Sequence, residues 1–299
     1  MNDVGLVQVR GLSKTFGDLN VLADLDLCVG RRDFLGLVGP NGSGKSTLLR
    51  ILVGLHRRTR GDCAVFGLDP EREPIAVRSR LSYLPGETSV YREMTGAQFL
   101  EFAVAFHAHV DATRTRRLTE LFALPMRQRV RAYSAGMKQK LAVLAALAVD
   151  AELYLLDEPD RALDATMRME LRGILREMWK QGATFVLSSH HLEELRDLAS
   201  RLQFLRSGRW IADAELRVAE AALRQRARVR LTNDAPPQGA RIVRRCGDGS
   251  WIIECDGDPL AWIAAQQSGA TLAFEAGDPR LDDLYELLYL PQQPAEPSA

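Results

Sequence analysis

The chain has 299 residues, 46% hydrophobic and 26% charged, the make-up of an ordinary globular protein with room for one large domain and a small one. Its 39 Lys and Arg balance its 39 Asp and Glu, so no global charge draws it to nucleic acid or an anionic membrane surface. The four cysteines, Cys28, Cys63, Cys246 and Cys255, include no Cys-x-x-Cys pair, which argues for reduced thiols rather than a disulfide framework or a zinc site.

The N-terminus lacks the basic-then-apolar signature of a secretory signal, and the longest apolar run, Leu141–Val149, is too short to cross a bilayer. Any membrane role is therefore expected to pass through a partner chain. The first predicted elements are two strands, Leu6–Val9 and Leu25–Val29, around a polar turn containing Gly17-Asp18. Phe16 stands at the end of that hairpin, where an aromatic ring can stack on a base or simply join the core.

Phe34–Val38 reads as a short buried strand and Leu48–Val53 as a helix. Between them runs Gly39-Pro40-Asn41-Gly42-Ser43-Gly44-Lys45-Ser46-Thr47. Strand, glycine-rich turn and helix are the setting of a phosphate-binding loop, whose backbone N–H groups wrap phosphate oxygens at a positively polarised helix end. Lys45 is placed to reach the β- and γ-phosphates and the Ser46 hydroxyl to ligate Mg²⁺. A nucleoside triphosphate is the expected ligand.

Gly61–Gly67 reads as strand and turn, and Leu81–Leu84 as a strand ended by Pro85-Gly86 and followed by Glu87. From Val90 to Tyr133 the periodicity is helical, with Arg114–Phe122 continuing the pattern of Gln98–His107. The basic clusters Arg114–Arg117 and Arg127–Arg131 read as solvated faces. Ser134-Ala135-Gly136 opens the apolar helical stretch Leu141–Val149 and makes a second anion site at a helix N-terminus.

Leu153-Tyr154-Leu155-Leu156 reads as a strand buried on both faces, with Asp157 and Glu158 at its C-terminal tip. There Asp157 suits a Mg²⁺ shell and Glu158 suits polarising a water for attack on the γ-phosphate. Ala162-Leu163-Asp164 leads into the amphipathic helix Ala165–Lys180. A second buried strand, Thr184–Ser189, ends at His190-His191, on the ligand side of a parallel sheet.

This ordered set resembles the ATP-binding cassette (ABC) ATPases, over about Val7 to Gly208. Gly39–Thr47 is similar to the Walker A loop, Tyr133–Met137 to the signature motif, and Leu153–Glu158 to the Walker B strand with its catalytic Glu. Ala162–Asp164 resembles the D-loop, His190 the switch histidine and Phe16 the adenine-stacking aromatic. The resemblance implies an α/β P-loop fold of ABC type, a mixed-sheet core with a helical subdomain at about 88–140. It also implies a head-to-tail homodimer in which Ser134 and Gly136 meet the γ-phosphate bound by the other subunit. Three departures stand out: Gly86-Glu87 replaces the Q-loop glutamine, the signature reads Tyr-Ser-Ala-Gly-Met, and Asp160 stands where Thr is common. The Tyr-Leu-Pro-Gly-Glu and Tyr-Ser-x-Gly-Met-Lys-Gln forms resemble the exporter subfamily, whose ATPase is a separate chain from its integral-membrane permease.

The cassette is expected to span 1–212, followed by a helical connector at 213–226 and a small α+β domain at 227–290. In that domain Ala227–Leu231, Ala240–Arg244, Trp251–Cys255 and Thr271–Phe274 read as strands, with Gly247-Asp248-Gly249 as a hairpin turn. Pro259–Gln267 and Arg280–Leu288 read as helices, and 291–299 as a polar, disordered tail. The expected protein is an ATPase, peripheral at the cytoplasmic face of the cell membrane, that drives export using ATP and Mg²⁺. A soluble ABC ATPase acting on ribosomes or nucleic acid is the alternative, and it is disfavoured by the single phosphate loop and the lack of a basic stripe.

Overall fold

The computed structural model describes residues 5–87, 90–231, 240–245, 249–255, 257, 259, 271–275 and 280–290. Its contacts divide the chain into two compact units, Met1–Trp210 and Ile211–Ala299.

The first unit opens with β1 (Val7–Phe16) and β2 (Leu19–Val29), an antiparallel hairpin pairing Val7 with Val29 and Phe16 with Leu19. Both strands run longer than the sequence pattern suggests. Register shifts between Val9 and Thr15 interrupt the alternation that would have revealed their full length. Next come β3 (Phe34–Val38), α1 (Lys45–Leu52) and β4 (Arg60–Val65), and β4 pairs with the free side of β1.

After these follow α2 (Pro74–Arg78), β5 (Leu81–Leu84), α3 (Gly96–Val104), α4 (Ala112–Phe122) and α5 (Ala135–Ala148). The unit closes with β6 (Leu153–Asp157), α6 (Ala165–Lys180), β7 (Thr184–Ser188), α7 (Leu192–Leu198), β8 (Arg201–Arg206) and β9 (Arg209–Trp210). The larger sheet has the order β5-β6-β7-β3-β8-β9, parallel except for β9. Every residue of β3, β6 and β7 is buried, which is why they read as unbroken apolar runs.

Helix α1 is buried between this sheet and the antiparallel one. Its Leu48, Leu49, Ile51 and Leu52 share one cluster with Val7, Leu25 and Val65 on one side and Leu35, Leu155 and Val186 on the other. The core thus clamps the element that follows the glycine loop, and at about 1.5–3 kcal/mol per buried aliphatic side chain it holds that loop firmly.

Two sequence expectations are corrected here. The helical stretch 98–122 is two helices, because Asp111 caps a new one by accepting the Arg114 N–H (2.8 Å) while Val110 bridges to Val149. Arg114 is not on a solvated face: its guanidinium donates to the carbonyls of Leu147 (2.5 Å) and Val149 (2.8 Å), groups left open where α5 ends. Arg117, Arg129 and Arg131 do sit at the surface, paired with Glu177 and Glu93. Elements α2, α7 and β8 were not foreseen.

In the second unit, α8 (Asp213–Arg224) packs against α9 (Leu281–Tyr289). Strands β10 (Arg226–Leu231), β11 (Arg241–Arg245), β12 (Trp251–Glu254) and β13 (Thr271–Glu275) form an antiparallel sheet of order β11-β12-β10-β13. Ala227, Val229, Ile253 and Cys255 make its small core. Of the expected hairpin turn only Gly249 is among the described residues, with φ 80°. The expected helix Pro259–Gln267 beyond Pro259, and the tail 291–299, lie outside them.

Candidate nucleotide site

The C-terminal ends of β3, β5, β6 and β7 face one cleft of about 560 Å³. It is lined by Asn41, Gly42, Gly44, Lys45, Ser46 and Thr47 from the glycine loop, by Asp157, Glu158 and His190 from the strand tips, and by Glu87 from the loop after β5. The cleft also takes in Gly86, beside Glu87 at the Q-loop position, and four residues that motif reading missed: Leu19, Val21, Arg50 and Arg161.

The loop can be built only from glycine at two of its positions. A Cβ on Gly39 would stand 2.4 Å from the Leu205 carbonyl. Gly44, the N-cap of α1 with φ 112°, would press a Cβ to 2.5 Å of Leu22. Pro40 accepts the Ser43 N–H at 3.1 Å, which closes the turn. Lys45 begins α1 and folds back over the loop, donating from Nζ to the carbonyls of Gly39 (2.6 Å) and Pro40 (3.1 Å). Burial lowers its pKa, while the charges of Asp157 and Glu158 act against that.

Asp157 is almost fully buried at the end of β6. Its Oδ1 accepts from the Ser188 hydroxyl at 2.6 Å, a pairing set by the β6–β7 register that puts Asp157 opposite Ser188. Its Oδ2 is buried with no hydrogen-bond partner among the described residues. A buried carboxylate oxygen left open in a cleft that Ser46 also lines fits a hard divalent cation, which prefers oxygen ligands. The residues present therefore fit Mg²⁺.

Glu158 adopts φ 52°, a left-handed conformation costly for a side chain of its size. Hydrogen bonds at both its N–H and its carbonyl hold it there. Its N–H donates to the Ser188 carbonyl (3.1 Å) and hydroxyl (3.2 Å), and its carbonyl accepts from Gln139 Nε2 (3.2 Å). The turn aims the carboxylate into the cleft, where Oε1 lies 2.7 Å from His190 Nε2. Next along, Asp160 accepts from the Ser189 hydroxyl, which in turn accepts the His191 N–H at 2.9 Å. Burial pushes the Asp160 pKa up and the Ser189 bond pulls it down.

Other predicted site residues stand outside the cleft of the single chain. Ser134 is exposed and caps α5 by accepting the Met137 N–H at 3.2 Å, and Asp164 caps α6 by accepting that of Met167 at 2.9 Å. Gly136 lies against the turn between β6 and α6, where a Cβ would come to 3.3 Å of the Ala162 carbonyl. Phe16 is 42% exposed, its ring edge-on to His56 with Lys14 above it; across the hairpin it pairs with Leu19, which lines the cleft. Ser188 and Gln139 were also missed. The faint signal for Ser188 was a polar residue ending an apolar strand; Gln139, between Lys138 and Lys140, gave none.

Residues 22–161 match the family model described as ABC transporter. Daunorubicin resistance ATP-binding protein DrrA3 of Streptomyces coeruleorubidus is 38% identical over 69% of this chain and 67% of its own length. Daunorubicin/doxorubicin resistance ATP-binding protein DrrA of Streptomyces peucetius is 32% identical over 86% of this chain and 80% of its own length. The chain belongs to the ABC transporter ATP-binding family. Among solved structures, an ATP binding subunit of an ABC transporter superposes with a TM-score of 0.64 at 27% identity, covering 71% of this chain and 92% of that one. This ABC protein is an ATPase whose hydrolysis is coupled to transport.

Proposed function

We propose that this ABC ATPase powers export of a small molecule through a separate permease, working as a head-to-tail dimer around two ATP. The observation that carries the catalytic part is the Glu158 carboxylate, held in a strained turn at the cleft and bonded to His190 within reach of Lys45's field. In the reaction, the glycine-loop N–H groups and Lys45 hold the phosphates. Glu158 takes the proton of the attacking water, and His190 orients the carboxylate and the terminal phosphate. Ser46 and Asp157 would hold Mg²⁺, with Glu87 the nearest replacement for the missing glutamine; the cation neutralises phosphate charge. Phe16 and Leu19 offer an apolar edge for the base.

The dimer is supported by what the single chain leaves unused. Ser134 and Gly136 sit at an exposed helix N-terminus outside their own cleft, and Asp164 is exposed at the N-terminus of α6. A second copy turned head-to-tail gives that helix end a phosphate to meet. The permease is supported by the chain's own dimensions, because no helix among the described residues is long and apolar enough to cross a membrane. Export is supported by relatives named for drug resistance, since a transporter protects by moving the drug outward. The chain would then sit at the cytoplasmic face of the membrane.

The test is isolation of the tagged chain from detergent-solubilised native membranes. A co-purifying polytopic membrane protein that stimulates ATP hydrolysis, with Glu158→Gln silent in the same complex, would support the reading. Recovery with ribosomes or nucleic acid would overturn it.

A further inference from the structure

Arg161 belongs to none of the nucleotide motifs, yet it lines the cleft together with Asn41, Lys45 and Ser46. It sits in the turn between β6 and α6, and its N–H donates to the Glu158 carbonyl at 3.2 Å. Its exposed guanidinium donates from Nη1 to the Gly86 carbonyl at 3.1 Å. Among the described residues that is the guanidinium's one hydrogen bond, and no carboxylate pairs with it. A guanidinium carries five N–H donors and stays charged at any ordinary pH. Most of its capacity is thus open at the wall of an anion-binding cleft.

Charge counting gives the same answer. The cleft's fixed cations are Lys45, Arg50 and Arg161, and its carboxylates are Glu87, Asp157 and Glu158. Arg161 is thus one of three side-chain cations set against three carboxylates, a third of the positive charge that the protein's own side chains present to a triphosphate. The loop after β5 also lies hard against the metal-side carboxylate, since a Cβ on Gly86 would come within 3.1 Å of Asp157 Oδ2. That loop carries no glutamine side chain to report on the nucleotide, but Arg161 holds its backbone.

The geometry points to Arg161 as a triphosphate-binding residue: its free N–H groups take the terminal phosphate of ATP, and its bond to Gly86 ties the loop after β5 to the presence of that phosphate. The inference rests on the reading that this cleft holds ATP. It predicts discrimination by Arg161 between a nucleotide with the terminal phosphate and one without.

The experiment is equilibrium binding of ATP and of ADP, each with Mg²⁺, to the full chain and to Arg161→Ala, Arg161→Gln and Arg161→Lys. Loss of charge-assisted hydrogen bonds to phosphate should weaken ATP binding by about 10-fold or more in the Ala and Gln variants, with ADP binding changed less than about twofold. The Lys variant should keep more of the ATP preference than either, and all three should melt like wild type without nucleotide. ATP and ADP weakened by the same factor would overturn the proposal. So would wild-type ATP affinity in Arg161→Gln, which keeps a donor for Gly86, because Arg161 would then be a backbone staple alone. Failure of the wild-type chain to bind ATP would overturn the cleft reading itself, and this proposal with it.

Discussion

At Lys45 a buried ammonium is held by two carbonyls of its own loop, a neutral cradle that a phosphate replaces with full negative charge. Lys45→Ala should therefore weaken ATP binding by roughly 10- to 100-fold, read by titration with a fluorescent nucleotide. The same environment fixes a pH dependence. Burial lowers the Lys45 pKa in the empty site, so the ammonium loses its proton earlier than an exposed lysine as pH rises. Bound phosphate favours the charged form, so binding is coupled to proton uptake in that window. ATP affinity should fall as pH climbs towards the ordinary lysine pKa of about 10.4, ahead of the titration of an exposed lysine, and an affinity flat up to that pH would contradict it. Asp69 shows the opposite sign. The Arg58 guanidinium, at 2.8 and 3.0 Å, holds its pKa down to about 2, with the Glu71 N–H assisting. That pair stabilises the fold above the usual carboxylate pKa, and the contribution is lost as pH falls towards 2. The pair is partly open to solvent, so Asp69→Asn should cost only about 1 kcal/mol at neutral pH and flatten the acid limb of a stability–pH curve.

Among the elements, the β6–β7 pair does most to assemble the chemistry. Its register sets Ser188 opposite Asp157, and from there one hydroxyl serves both the Asp157 carboxylate and the Glu158 N–H. Ser188→Ala would strand a buried carboxylate oxygen and relax the strained Glu158 turn. It should cost about 1–3 kcal/mol in chemical denaturation and lower the hydrolysis rate more than ATP affinity. Glu158→Gln keeps the size of the side chain and removes its basicity. Turnover should drop by about 100-fold or more while ATP still binds.

For the whole molecule, the arrangement of two units makes separable demands. All residues lining the cleft, and the cluster around α1, lie before Trp210. A fragment of residues 1–210 should fold and bind ATP within about threefold of the full chain. A fragment that melts without cooperativity would show that the cassette needs the rest of the chain. With Glu158→Gln blocking hydrolysis, ATP should convert the protein to a dimer in sedimentation velocity. Ser134→Glu, placing a carboxylate at the exposed helix end, should prevent that conversion and leave the monomer's ATP affinity intact.

The phosphate loop, the carboxylates on a buried strand and the histidine at the next strand's end were legible because each is written in a few contiguous residues. A phosphate cradle needs glycines in immediate succession, and a strand covered on both faces must be continuously apolar. Strand order is not local, and only the tertiary structure put β7 between β3 and β6, so that His190 meets Glu158 and Ser188 meets Asp157. The same holds for Arg161 on Gly86, Gln139 on the Glu158 carbonyl and Arg114 on the end of α5, each a polar side chain whose partner lies far along the chain. Short α2 and α7 escaped notice because a turn or two carries too little periodicity to stand apart, and β8 because its partly exposed, arginine-flanked sequence lacks the unbroken apolar run of β3, β6 and β7. Local backbone chemistry wrote the motifs; long-range packing decided which of them face one another.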